Sequence, residues 1–272
     1  MGMRVQSDGD LNGEDAVLKL KASVQDLLEA DKALAEWCTE KTLRRYLAAR
    51  NGNLANATKM LQSTLEWRRS YKPHEITWET IADEATGKQI IAPCTDKEGR
   101  VVVIMRPREE KSRNTEKQIK FLVYTLELAS KLADASGQNH KICWLVDFKG
   151  YSMRNAPSIR VSITTLSILQ NHYPERLGMA LCYLPPRLFS MSWKALLPFI
   201  DTVTAEKVVF VNSQNEAAVM AQKFHMDKME ACLGGKSSWT YNKESYSHFC
   251  RQLESKPAAG LLHTADTCTT QS

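Results

Sequence analysis

The sequence predicts an α/β protein: a small all-helical domain, then a domain with a mostly parallel sheet covered by helices. Three observations predict it. Residues 15 to about 72 carry apolar side chains at helical spacing. From about residue 88 the period changes, and short apolar runs alternate with longer amphipathic stretches. Those short runs are apolar at consecutive positions, as in strands buried on both faces of a parallel sheet.

In the helical part, "NLANATKMLQSTLEWRRSY" places Leu54, Ala57, Leu61 and Leu65 on one face, and "TLRRYLAAR" places Leu43, Tyr46, Leu47 and Arg50 on one side. Arg44, Arg45, Arg68 and Arg69 read as solvated helix faces, and Pro73 closes the region. "KQIIAPCTDKEGRVVVIMRP" reads as a hairpin turning at Asp96–Gly99. "TEKQIKFLVYTLELASKLADA" reads as a helix with Thr115 and Gln118 as a capping box and a stripe of Ile119, Leu122, Val123, Leu126 and Ala129. Then follow strand "KICWLVDF", a helix over 157–171, strand "MALCYL", a helix over 187–200, strand "KVVFVN" and helix "SQNEAAVMAQKFH". The expected organisation is 1–14 disordered, 15–75 helical, 76–250 the sheet domain and 251–272 a loose tail.

The chain has 272 residues, with 36 Lys and Arg against 31 Asp and Glu, a net charge of +5. This mild excess lacks the basic stripe interleaved with aromatics that nucleic acid requires, and it suits anionic lipid surfaces. The 7 cysteines form no CxxC pair, and Cys143 and Cys182 lie in apolar runs, so reduced, buried thiols are expected. No apolar run approaches the ~18 residues of a membrane span. The opening "MGMRVQSDGD" has no apolar core of a signal peptide, and Gln6 stands where myristoylation wants Ser or Thr. A cytoplasmic protein peripheral to membranes is expected.

An α/β sheet first suggests a nucleotide enzyme. No GxGxxG follows a strand, no GxxxxGK[ST] occurs, and there are 12 glycines in all. Gly150-Tyr151-Ser152-Met153-Arg154 begins like a nucleophile elbow, but Arg154 replaces the last glycine. The histidines form no HExxH pair, so no metal is expected. Asp147, at a strand end, reads as a turn cap rather than a catalytic acid. No catalytic constellation and no cofactor are expected.

The stretch "HYPERLGMALCYLPPRLFSMSWKALLPFIDTVTAEKVVFVN" resembles the CRAL-TRIO lipid-binding domain, in the branch of phosphatidylinositol/phosphatidylcholine transfer proteins. "TLRRYLAAR", "TDKEGRVVVI", "VDFKG", "YPERLG", "DTVTAEK" and "LGGKS" fall in that family's order across roughly residues 30–250. The resemblance implies a helical N-terminal domain, a sheet floor and an apolar pocket for one lipid. It assigns Arg50, Glu175, Thr204 and Lys207 to a phosphatidylinositol headgroup. The chemistry suits them: a carboxylate accepts from inositol hydroxyls, two cations meet the phosphodiester, and a hydroxyl donates. The plain alternative is that Glu175 and Arg176 form a helix-end charge pair and that Lys207 is a strand-edge lysine.

Two departures from the family pattern bear on selectivity. A second basic residue often follows the Arg of the N-terminal signature, and here it is Asn51. Where members exchanging phosphatidylcholine have small hydroxyl residues, this chain has Ile142 and Trp144. The counter-ligand is then expected to be a sterol or another apolar lipid.

In residues 187–200, Arg187, Ser190 and Lys194 form one narrow polar stripe. Leu188, Phe189, Met191, Trp193, Leu196, Leu197, Phe199 and Ile200 cover the rest. So broad an apolar arc packs between two protein surfaces, or forms a gate between pocket and bilayer with Phe189 and Trp193 facing outward. The sequence therefore reads as a carrier that exchanges phosphatidylinositol with a second apolar lipid, making transient membrane contact. The alternatives are a carrier for a small isoprenoid such as a retinoid or tocopherol, and a module that reports lipid to a partner without net transfer.

Overall fold

The computed structural model describes residues 13–136, 140–152, 154, 156–186, 189, 193–194, 197–200, 202–256 and 258. They divide into two compact units, one holding the described residues up to His74 together with Gln170–Glu175, the other Glu75–Leu169 and the chain from Arg176 onward.

The first unit contains α1 (Gly13–Ala22), α2 (Gln25–Glu29), α3 (Lys32–Trp37), α4 (Glu40–Ala48) and α5 (Leu54–Tyr71). Side chains cap three of the five: Asp31 accepts from Ala33 N at 2.9 Å, Thr39 from Thr42 N at 3.3 Å, and Asn53 from Asn56 N at 2.9 Å. Left-handed Lys72 (φ +54°) ends α5 just before Pro73. Leu20, Leu34, Leu43, Tyr46, Ala57, Leu61 and Leu65 form the core. The solvated reading fits Arg44 and Arg69, which are exposed. It fails for Arg68, which is 2% exposed and holds its guanidinium 4.3 Å over the Trp37 ring. A long aliphatic stem and a flat, weakly hydrated cation let arginine enter a core where an aromatic face meets it.

The second unit contains α6 (Trp78–Ile81), β1 (Gln89–Thr95), β2 (Val101–Met105), α7 (Thr115–Ala135), β3 (Ile142–Asp147), α8 (Ile159–His172, its last turn in the first unit), β4 (Leu177–Tyr183), α9 (Thr202–Glu206), β5 (Val208–Val211), α10 (Glu216–Lys223) and α11 (Lys243–Ser255). The sheet order is β1-β2-β3-β4-β5, with β1 antiparallel to β2 and the other neighbours parallel. Right-handed crossovers in so sequential an order put the connecting segments on one face. The β1–β2 turn is tied by Asp96, whose carboxylate accepts from Glu98 N at 3.0 Å and Arg100 N at 2.9 Å, with Gly99 at φ +75°.

α7 packs on β1, β2 and β3. Its expected stripe is buried, and so are Phe121, Tyr124, Leu128 and Leu132. The capping box is a correction. The cap is Asn114, which accepts from Lys117 N at 3.0 Å, while Gln118 donates to Ser112 O at 2.7 Å. With Asn114 as cap the helix starts one residue earlier, so its side-chain carbonyl takes the Lys117 N–H where a Thr115 cap would have taken that of Gln118. The chain ends also differ from expectation. Gly13 and Glu14 already belong to α1, and α11 runs to Ser255 with Leu253 fully buried; residues 1–12 lie outside the described ones.

The sheet has two unlike faces. Cys143 and Leu145 of β3, Leu181 and Tyr183 of β4 and Val211 of β5 pack with Met220, Phe224, Met229 and Leu233. The other face presents Ile142, Trp144 and Val146 of β3, Ala180 and Cys182 of β4, and Val208 and Phe210 of β5, by strand alternation and the parallel register. The described cysteines are all free thiols, buried except Cys232, and burial pushes Cys182 up to about 12.

Candidate functional site

The second face is apolar but incompletely covered. Trp144 is buried, Val146, Ala180 and Val208 are half-buried, and Phe210 is 42% exposed. Over the end of β5, Phe189 and Trp193 lie 6.2 and 6.0 Å from the Phe210 ring, and Phe189 lies 4.4 Å from Phe148. These contacts correct the outward-facing expectation for Phe189 and Trp193: both are half-buried against the sheet's aromatic side chains. Leu197 (39%) and Val203 (57%) carry the exposed apolar surface beside them. Of the predicted gate, Arg187, Leu188, Ser190, Met191 and Leu196 lie outside the described residues, as does the Phe199 side chain. Ile159 and Ile163 of α8 are exposed in the same unit.

Lys207 joins this face by its backbone, since Ala180 N donates to Lys207 O at 2.9 Å. Thr204 is one helical turn before it, and Lys207 N donates to Thr204 O at 3.2 Å. Lys207 is half-buried and makes no ion pair among the described residues.

Glu175 and Arg50 stand in the helical unit. Glu175 is half-buried with φ +58°, a left-handed conformation that a non-glycine residue holds at a cost, and that clusters at functional sites. The helix-end charge pair with Arg176 is not how Arg176 is satisfied. Arg176 makes a bidentate pair with Asp134 at 2.7 and 2.5 Å and donates to His140 O at 2.9 Å. Asn51 has φ +51° and Gly52 φ +76°, a left-handed pair that turns the chain from α4 into α5. Asparagine tolerates that geometry better than lysine or arginine, which gives a backbone reason for its place. Arg50 donates to Ala49 O at 2.8 Å.

Asp147 behaves as the expected cap. It accepts from Lys149 N at 3.0 Å on one oxygen and from Arg108 at 2.7 Å on the other. Buried Arg106, 3.9 Å from Asp147, pairs with Glu230, and Lys149 donates to Cys232 O at 2.8 Å. The strand end "VDFKG" and the loop before "GGKS" are thus held together by charge. Gly235 is forced: a Cβ there would stand 1.8 Å from Met229 O. At β4's end, Leu184 N still donates to Val211 O at 2.9 Å, and Pro185 then stops the ladder. Among the described residues no group of side chains could hold a metal ion, and no helix is long and apolar enough to cross a membrane.

Residues 85–235 match the CRAL/TRIO domain. The chain belongs to that family. It is 33% identical over 222 residues to a CRAL-TRIO domain-containing protein of Schizosaccharomyces pombe, covering 81% of this chain and 21% of the relative. It is 32% identical to the phosphatidylinositol transfer protein PDR17 of Saccharomyces cerevisiae, over 72% of this chain and 61% of that protein. It is 29% identical to the SEC14 cytosolic factor of Candida glabrata, over 73% and 71%. The chain thus spans only part of the first two relatives. Its fold is similar to the crystal structure of Sfh5, with TM-score 0.67, 16% identity and coverage of 92% and 98%.

The sequence reading missed Phe210 and Phe148. A single aromatic in "VVFVN" is a weak signal, because which face it takes depends on a strand order that no local pattern contains.

Proposed function

We propose that this protein binds one lipid against the apolar second face of its sheet and exchanges it between membranes, with phosphatidylinositol as a ligand. The observation that carries the reading is the partly exposed apolar face with Lys207, which makes no ion pair among the described residues, at its edge. Glu175, Thr204 and Arg50 complete the headgroup set in this reading, as the family resemblance implies, and the similarity to a phosphatidylinositol transfer protein supports the lipid. Two acyl chains hold on the order of 30 methylenes, worth about 0.8 kcal/mol each when buried. Release into water is then too slow to be useful, so exchange happens at a membrane surface, from a cytoplasmic, peripheral position. The protein acts as a carrier rather than an enzyme, and Ile142 and Trp144 disfavour a choline lipid as the partner in exchange.

Lipid extraction from the purified protein followed by mass spectrometry tests the ligand, and transfer between vesicles tests the activity. Phosphatidylinositol in the extract, with transfer reduced at least tenfold in Lys207→Ala and Glu175→Ala variants that melt like wild type, is the expected result. A retinoid or tocopherol in the extract would replace the reading with an isoprenoid carrier. Bound phosphatidylinositol without transfer would replace it with a lipid-reporting module.

A further inference from the structure

The loops that leave the carboxyl ends of β2 and β3 carry a surface outside the proposed lipid site. β2 and β3 are parallel neighbours, with Met105 opposite Val146, so the chain leaves both strands at the same edge of the sheet. The two loops are tied to each other: Arg108 Nη1 donates to Lys149 O at 3.0 Å, and Arg113 Nη2 donates to Arg154 O at 2.6 Å. α8 follows at once. Ser158 Oγ caps it by accepting from Val161 N at 3.2 Å, which places Ile159 and Arg160 in the first turn.

Segments 106–113 and 147–160 hold seven Lys and Arg against three Asp and Glu, an excess of four, where the net charge of the whole chain is +5. The three acids are already matched. Asp147 takes Arg108 at 2.7 Å, Glu109 lies 3.5 Å from Arg108, and Glu110 takes Lys88 at 3.0 Å. Lys111, Arg113, Lys149, Arg154 and Arg160 are exposed and make no ion pair among the described residues. Beside them Ile159 is 62% exposed, and Ile163, one turn further along the same helix face, is 38% exposed. Single-stranded nucleic acid asks for aromatic side chains among the cations, and these exposed side chains are aliphatic. Cations without carboxylate partners around exposed aliphatic side chains fit the interface of a negatively charged bilayer, which attracts the first and buries the second.

We infer that these two loops and the first turns of α8 form a contact selective for anionic membranes, with Lys111, Arg113, Lys149, Arg154 and Arg160 over lipid phosphates and Ile159 in the interface. The contact reads charge density and no particular headgroup, since its cations are spread over two loops and a helix rather than gathered in a pocket. It is continuous with the stretch between β4 and β5: the Phe148 ring lies 5.5 Å from Tyr151 and 4.4 Å from Phe189. The inference rests on the reading above that exchange happens at a membrane surface, and it adds which membranes the protein visits and by which edge of the sheet.

The test sediments the full chain with phosphatidylcholine vesicles, with and without phosphatidylserine. Wild type should bind the anionic vesicles roughly tenfold better or more, and the difference should shrink as salt rises. A cation near such a surface is worth about fivefold in binding, so Arg113→Gln with Arg154→Gln should lower anionic binding roughly twentyfold and leave neutral binding unchanged. Lys111→Gln with Arg160→Gln should do the same. Those two side chains make no hydrogen bond among the described residues, so this pair of substitutions should melt like wild type. Ile159→Gln should lower anionic binding about tenfold. Equal binding of wild type to both vesicles, or a preference that survives both double variants, overturns the inference. So does soluble poly-glutamate held as tightly as the vesicles and unaffected by Ile159→Gln, which would mean an acidic protein partner. Phosphatidylinositol transfer between neutral vesicles keeps the two readings apart. Transfer that persists in those cases leaves the proposed function standing, and charge-dependent vesicle binding without any transfer leaves the contact and removes the carrier.

Discussion

The rings of Trp67 and His172 stack 4.2 Å apart at 5° from parallel. Thr64 completes the seat. Its one hydroxyl proton goes to Asn171 O at 3.0 Å, so its oxygen accepts from His172 Nδ1 at 3.2 Å. That arrangement needs a proton on His172 Nδ1. Burial first, and the charge of Arg68 second, lower the His172 pKa from 6.5 to about 4. His172 stands three residues before Glu175, so a titration here reaches the segment that carries a proposed headgroup ligand.

The first prediction follows from that depression. Between about pH 6.5 and 4 the unfolded chain binds a proton that the folded chain refuses, so stability is full above this window and is lost as pH falls through it. Melting temperature should drop from pH 7 to pH 5 in wild type, and the drop should shrink in His172→Phe, which keeps the stack and cannot titrate. Equal drops in the two proteins would show that other groups carry the acid response.

Arg68 provides the second. With 2% exposure and a cation–π contact to Trp37, it is a core residue. Arg68→Ala should cost roughly 2–4 kcal/mol in denaturant unfolding, from lost packing and the lost cation–π contact together. Arg68→Lys should cost about half as much, because a point charge cannot stack as a planar one does. A cost near zero for both would return Arg68 to the solvated class.

How much of this was legible depended on range. The elements were, because helical and strand periods are local: α7 spans the same residues, Thr115–Ala135, as the segment whose period reads as a helix. The cap at Asn114 was misplaced by one residue because Thr115 and Asn114 are both good capping side chains and only backbone geometry chooses. The last turn of α11 was missed although Tyr246, Cys250 and Leu253 recur at helical spacing, because the polar tail that follows masks it. Long-range facts were not legible at all. Trp37 meeting Arg68, Asp134 meeting Arg176, and the face taken by Phe210 each depend on chain segments brought together by folding. The candidate headgroup residues were found by family resemblance; Lys207, alone, is indistinguishable from any strand-edge lysine.

Trp144 gives the third prediction. It is buried on the second face, in register between Val103 and Ala180. Its indole occupies space where the resemblance implies a small hydroxyl residue. Trp144→Thr should raise phosphatidylcholine transfer between vesicles several-fold above a low wild-type rate, at a stability cost of about 3 kcal/mol for the volume removed. Efficient phosphatidylcholine transfer by wild type would mean that the indole does not guard the pocket.

The fourth concerns where a membrane meets the sheet unit. Phe189 and Trp193 pack on Phe210, so they are poor probes of membrane contact: replacing either by Glu puts a charge against an aromatic cluster and should destabilise the fold. Leu197 and Val203 are the better probes, since their side chains are 39% and 57% exposed and belong to the same stretch between β4 and β5. Burying an exposed Leu or Val in a bilayer interface is worth at most about 1.5–3 kcal/mol, while a surface substitution to Glu changes stability by about 0.5 kcal/mol or less. Leu197→Glu and Val203→Glu should therefore lower sedimentation with anionic vesicles by about tenfold each, and lipid transfer with it, while the melting temperature stays within a few degrees of wild type. Exposed Lys194 should add a salt-dependent attraction to the same surface, so Lys194→Glu should weaken binding at low salt more than at high salt. Wild-type vesicle binding by both the Leu197 and Val203 variants would place the membrane contact elsewhere and leave the stretch between β4 and β5 as a cover for the sheet alone.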